Sequence, residues 1–173
     1  MECMRFHNWK ERNFPSLLPA FYAARDMARG NVSRGNFLVL AGPRGVGKTH
    51  LAVAIGWEWF EDGFSVLFAR VDDLLDYLLE GYDAHSYHQR WESVRRRDLL
   101  ILDDLGTEHA KGWARERIDR IIDSRYINRM PLVVTTNAKS EDLEPRVASR
   151  LSDNTCSLIV QIDAEDYRPE VKE

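Results

Sequence analysis

Apolar positions along the chain follow two alternating patterns: compact unbroken runs, and stretches where they recur every third or fourth residue. "NFLVLAG" is such a run, bounded by Asn36 and Gly42, and reads as a buried strand. After it, "KTHLAVAIGWEWFEDG" places Leu51, Ala54, Ile55 and Trp59 at helical spacing and stops at Gly63. The alternation continues. "SVLFARV" predicts a second strand, and "DDLLDYLLEGY" a helix with Asp72 or Asp73 as its N-cap. "SYHQRWESVRRR" predicts a helix ahead of the strand "DLLILDDLG". "WARERIDRIIDSRYINR" sets Ile118, Ile121, Ile122 and Tyr126 on one side of a helix. "PLVVTTN" is then a strand, "EPRVASRLS" a short helix and "CSLIVQI" the last strand. Ahead of them all, "FPSLLPAFYAARDMARG" reads as a first helix ended by Gly30. Strands apolar throughout, alternating with helices, call for a parallel sheet covered on both faces. The predicted fold is α/β with five strands.

Length and composition narrow this little further. The 173 residues suit a single domain, with a lead segment and first helix over 1–36, a core over 37–163 and a polar tail over 164–173. The 44% hydrophobic and 30% charged content is that of an ordinary soluble globular protein. A net charge of -4 excludes a polycation built to coat nucleic acid, though a local basic patch remains open. Cys3 and Cys156 stand far apart and form no metal-binding spacing, so they read as reduced thiols of a cytoplasmic protein. No apolar run approaches the ~20 residues of a membrane span, and "MECMRFHNWKERN" is too polar for a signal peptide.

The junction of the first strand and the helix after it carries the chemistry. In "GPRGVGKTH", Gly42, Gly47, Lys48 and Thr49 fill each fixed position of G-x-x-x-x-G-K-[ST]. Glycines let successive backbone N–H groups curl around an anion without a Cβ in the way. The helix starting at the lysine points its unpaired N–H groups at the same place. Gly42, Pro43, Arg44, Gly45, Val46, Gly47, Lys48 and Thr49 are therefore the candidate nucleotide cradle. Lys48 would reach the β- and γ-phosphates and the Thr49 hydroxyl would ligate Mg²⁺. A glycine-rich turn with an incidental lysine is the plain alternative, but the strand before and helix after favour the cradle.

A phosphate loop would equally suit a small kinase, so the rest of the site must decide. "LLILDDLG" sets Asp103 and Asp104 at the carboxyl end of an apolar strand, where ligands bind in open α/β sheets. Asp103 takes the metal role, through its water shell, and Asp104 polarises an attacking water. The alternative is a helix cap or a solvated loop carboxylate. "VVTTN" places Asn137 just past another strand end, where its amide could orient that water or touch the γ-phosphate. Lys48, Asp104 and Asn137 are thus the catalytic candidates within the chain.

"GPRGVGKT", "LLILDD", "TTN" and "RVASRL" stand in the order and spacing of Walker A, Walker B, sensor-1 and box VII, and the chain resembles the AAA+ ATPases. More narrowly, "GKTHLA", "LLILDDLG", "IIDSRY", "TTN" and "DYR" resemble the DnaC/IstB group of helicase loaders and transposition helpers. His50 enters the cradle only through "GKTH". The resemblance implies strand order 5-1-4-3-2 and ATP with Mg²⁺ as ligands. It also implies slow hydrolysis that depends on an oligomer or on DNA. The partners it implies are further copies of the chain, a replicative helicase with single-stranded DNA, or a transposase on duplex DNA. Box VII carries an arginine finger that completes a neighbour's site; Arg150 matches it, and Arg146, one helical turn earlier, shares its face.

Departures from the family carry their own expectations. Asp104 stands where a glutamate is usual, which points to slow turnover. The tail after "CSLIVQI" is too short for the C-terminal lid that brings sensor 2, so no lid domain is expected and Arg168 in "DYRP" is a candidate for its work. The module with which loaders grip a helicase is also missing, which fits an excised ATPase domain or a free-standing member. "RRRD" at 95–98 reads as a helix C-terminus, with a DNA contact beside Trp91 and Tyr87 as the alternative. Trp57, Trp59 and Phe60 read as core. Arg146 and Arg150 could simply pair with Glu141, Asp142 or Glu144. Five histidines have no zinc spacing, leaving Mg²⁺ as the only expected metal. Two rival functions remain: an adaptor that binds ATP with little turnover, and a small-molecule P-loop kinase.

Overall fold

A computed structural model describes residues 4–10, 14–30, 36–83, 85–106 and 112–167. Five parallel strands form one sheet: β1 (Phe37–Ala41), β2 (Val66–Arg70), β3 (Leu99–Leu105), β4 (Leu132–Thr136) and β5 (Ser157–Gln161). Their order is β2-β3-β4-β1-β5, the expected 5-1-4-3-2 seen from the opposite edge. The central strands β1 and β4 are buried at every position, which is why they read as unbroken apolar runs. On the edge strand β5 the pattern breaks, and Ile159 is exposed.

The period of two along each strand divides the core. Leu38 and Leu40 of β1, with Leu99 and Ile101 of β3, face α1 (Leu17–Ala28) and α2 (Lys48–Glu61). Phe37, Val39, Leu100 and Leu102 face the other way, into α3 (Val71–Asp83), α5 (Trp113–Ile127) and α6 (Pro145–Leu151). The short helix α4 (Tyr87–Arg95) adds Val94 to that second face. Helices thus cover both faces. No helix among the described residues is long and apolar enough to cross a membrane.

Two local expectations change, and a third, the basic run at a helix C-terminus, holds. The α3 helix follows β2 directly, so Asp72 and Asp73 lie in its first turn, where the helix dipole favours acids, and neither is the cap. Trp59 is half-buried and donates its Nε1–H to the Met27 carbonyl (3.1 Å), but Phe60 turns outward at 61% exposure because the last turn of α2 leaves the core. The basic run is occupied at the end of its own helix. Glu92 accepts from Arg95 (2.9 Å) and Arg96 (2.7 Å), and the two guanidinium groups hold its carboxyl down at about 2.

Arg125 was not singled out by its place in a charged helix, yet it is only 1% exposed. Its guanidinium donates to the carbonyls of Arg97 (2.6 Å) and Pro131 (2.7 Å), tying the end of α4 to the starts of β3 and β4. Burial pushes the group down to about 10, so it remains a cation at neutral pH.

Candidate active site

The 42–47 loop joins β1 to α2 at the carboxyl end of the sheet. The Gly42 N–H donates to the Thr136 carbonyl (3.1 Å), which moors the loop to β4. Gly47 caps α2 with φ +103°, and a Cβ there would meet the Trp9 ring at 2.7 Å. Gly45 has φ +74° and lies against the Asp166 carboxylate, so a side chain would fit neither the turn nor the space. Lys48 is 6% exposed; its ammonium donates to the carbonyls of Gly42 (2.8 Å) and Pro43 (2.6 Å) and to Asn137 Oδ1 (2.6 Å).

Asp103, also 6% exposed, is neither a cap nor a solvated carboxylate. Its Oδ1 accepts from the hydroxyls of Thr49 (2.9 Å) and Thr135 (2.7 Å). The register of β3 against β4 shifts between Leu102 and Leu105, and Asp104 takes up the shift in a left-handed conformation, φ +66°. Its N–H donates to Thr135 Oγ1 (2.9 Å), while its carboxylate accepts from Asn137 Nδ2 (2.8 Å). Thr49, Asp103, Thr135, Asp104, Asn137 and Lys48 therefore form one unbroken hydrogen-bonded chain across three strand ends. The five residues expected from the sequence meet here. Thr135, which links the two acids, was not expected.

Two more segments close over the loop. A cavity of about 530 Å³ lies beside it, lined by Asn8, Trp9, Lys10 and Tyr167 together with Lys48 and Thr49. His50 faces Trp9 edge-on at 5.3 Å and meets the Arg5 carbonyl at 3.0 Å, while the Tyr167 N–H donates to the Gly45 carbonyl (2.9 Å). In the loop itself, Val46 is buried in the core whereas Pro43 and Arg44 are exposed.

The candidate finger helix α6 packs on α5. Arg150 donates from Nε to Asp123 (3.0 Å), and Arg146 pairs with Asp119 (3.3 Å) and Asp123 (3.2 Å). These partners lie on α5 rather than at 141–144; Glu144 instead caps α6 by accepting the Arg146 N–H. Arg168 lies outside the described residues. Cys156 is a buried free thiol, and Cys3 also lies outside them.

A phosphate loop, paired acids at one strand end and an amide at the next, on a 2-3-4-1-5 parallel sheet, define a P-loop ATP-binding protein of the AAA+ class. Comparison with known proteins gives the family: the model for the IstB-like ATP binding protein matches residues 27–169, and the chain belongs to that family. A protein named as ATP-binding in an insertion sequence of Mycobacterium tuberculosis is 32% identical over 142 residues, 78% of this chain and 57% of its own length. The replicative helicase loader DnaC of Escherichia coli K12 is 28% identical over 147 residues, 82% of this chain and 59% of its own. The chain thus spans little more than half the length of these relatives. A crystal structure of the DnaC helicase loader superposes with TM-score 0.80 and 29% identity, covering 92% of this chain and 97% of that one. The AMPPCP-bound DnaA of Aquifex aeolicus shares the fold at TM-score 0.83 and 19% identity, covering 95% and 51%.

Proposed function

We propose that the chain is an ATP-hydrolysing switch that assembles with copies of itself and acts with DNA as a replicative helicase loader. The observation that carries this reading is the hydrogen-bonded chain from Thr49 to Lys48. With Lys48 as the phosphate-binding cation, Thr49 and Asp103 as the metal-binding pair and Asp104 as the general base, it would hold in one network the parts that phosphoryl transfer to water requires. The backbone N–H groups of residues 44–47 and the Lys48 ammonium would hold the phosphates. The cavity beside Trp9 and Tyr167 would take the base.

Thr49 and Asp103 supply hydroxyl and carboxylate oxygens side by side, the hard donors that suit Mg²⁺. Bound there, the metal would screen charge on the phosphate oxygens. Asp104 would accept the proton of the water that attacks the terminal phosphorus as ADP leaves. Asn137, held between Asp104 and Lys48, would orient that water. Arg150 of a neighbouring subunit would balance charge developing on the transferred group, worth about 10³–10⁵ in rate where such fingers act. Arg168 is a further candidate at the nucleotide.

Nucleotide titration monitored by intrinsic tryptophan fluorescence, with Trp9 beside the loop as the reporter residue, tests the binding half. Saturation should be seen in the wild type and lost in Lys48→Ala; equal affinity in both would remove the phosphate loop from the account. For the partner, affinity capture with Asp104→Asn in ATP should recover a replicative helicase. Recovery of a transposase instead would move the chain to the transposition helpers. ATP binding without turnover at any concentration, with or without DNA, would make it an adaptor, and phosphate transfer to a small acceptor would make it a kinase.

A further inference from the structure

The two arginines on α6 are held differently, and the difference assigns them different work. Asp119 and Asp123 stand one helical turn apart on α5, as Arg146 and Arg150 do on α6. Arg146 commits both terminal nitrogens, Nη1 to Asp119 and Nη2 to Asp123. Arg150 uses only Nε, at 3.0 Å from Asp123 Oδ1, while Arg146 has taken the other carboxylate oxygen. The Arg150 guanidinium carbon lies 4.5 Å over the Tyr126 ring. That ring is itself fixed, by its hydroxyl on Asp153 and by edge contact with Phe37 at 6.4 Å. Both terminal nitrogens of Arg150 donate to no acceptor among the described residues, and its side chain is 31% exposed.

A guanidinium has five N–H donors in a rigid fork. An ion pair serving stability alone would close that fork on both carboxylate oxygens. Here Nε is anchored, the guanidinium lies over an aromatic ring, and the four N–H groups of the terminal nitrogens have no acceptor among the described residues. We propose that Asp123 and Tyr126 are positioning residues that present Arg150 to a second copy of this chain, and that Arg146 is their brace rather than a second finger. The proposal rests on the reading of Arg150 as a finger acting in trans. It adds which residues of the donating subunit fix its geometry.

Mixed subunits test it. Lys48→Ala keeps the finger but lacks a working phosphate loop, and Arg150→Ala is the converse. Each is inactive alone, and mixing them should restore ATP hydrolysis. Adding Asp123→Ala to the Lys48→Ala donor should lower the restored rate by roughly ten- to a hundred-fold, the scale of a misplaced catalytic group, with KM for ATP unchanged. The same change placed in the Arg150→Ala subunit, where there is no finger to position, should leave the restored rate within about twofold. Tyr126→Leu should follow the same asymmetry. A donor with Asp123→Ala that restores the full rate would overturn the positioning role while leaving the finger intact. Equal losses in both placements would assign Asp123 to folding and overturn it too. Failure of the unmodified pair to restore any activity would instead remove the finger.

Discussion

Asp104, the proposed base, has a left-handed backbone, and this makes the choice of replacement residue measurable. An L-residue with a Cβ is disfavoured there by about 1–2 kcal/mol, asparagine and aspartate less so, and glycine not at all. The side chain accepts the 2.8 Å hydrogen bond from Asn137 Nδ2, worth roughly 1.5–3 kcal/mol to a charged acceptor. The Asp104 N–H bond to Thr135 belongs to the backbone and survives any of these changes. Asp104→Asn keeps both an acceptor oxygen and tolerance of φ +66°, so its stability should lie within ~1 kcal/mol of wild type. Asp104→Ala loses the bond and takes the full conformational cost, about 2–4 kcal/mol in all. Asp104→Gly loses the same bond but escapes the strain, and should exceed the alanine variant by about 1 kcal/mol. Urea unfolding of the three variants, at equal slope, reads these differences directly. Alanine and glycine variants of equal stability would refute the argument that strain is stored at the base. All three should lose hydrolysis, and only Asp104→Asn should do so without loss of fold, which makes it the right trap for partner capture.

Thr135→Val should destabilise by roughly 2–4 kcal/mol, because it removes the acceptor of the Asp104 N–H and one of the two hydroxyls that donate to Asp103 Oδ1; Thr135→Ser should restore both the urea midpoint and Mg²⁺-dependent nucleotide binding. Arg125→Met strips a cation from the Arg97 and Pro131 carbonyls and should lower stability by about 2–4 kcal/mol, so an unchanged midpoint would mean those carbonyls find other donors. The Asp153 carboxyl is held down at about 2, first by the Tyr126 hydroxyl and then by Thr155. A lowered acid stabilises the fold fully above its unfolded value near ~4 and loses that contribution as pH falls through about 2. Wild type should therefore lose stability more steeply than Asp153→Asn between those values, which acid titration of the unfolding midpoint would measure.

What the sequence reveals here follows from where each residue's partners lie. β1, β3 and β4 are buried at nearly every position because helices cover both of their faces, and each opens on an apolar run, so the sheet is legible in the alternation alone. The phosphate loop is equally plain, since its spacing is set by backbone geometry within a few consecutive residues. Thr135 escapes notice because a threonine in a strand is ordinary, and its two partners belong to the neighbouring strand β3. Trp9, Asp166 and Tyr167 come from the two ends of the described chain, and only the folded sheet brings them to Gly45 and Gly47. The alternative partners the sequence offers Arg150 are nearby acids, whereas its partner Asp123 lies 27 residues away because α6 lies against α5. Arg125 has no carboxylate ion pair among the described residues to suggest its burial; its terminal nitrogens donate instead to carbonyls, which every sequence contains.

The most direct test of the account is steady-state phosphate release measured across a range of protein concentrations, with Asp104→Asn alongside. The rate per subunit should rise with concentration as neighbours complete one another's sites, and should fall to background in the variant. A rate per subunit that stays constant on dilution, or hydrolysis that persists in Asp104→Asn, would contradict it.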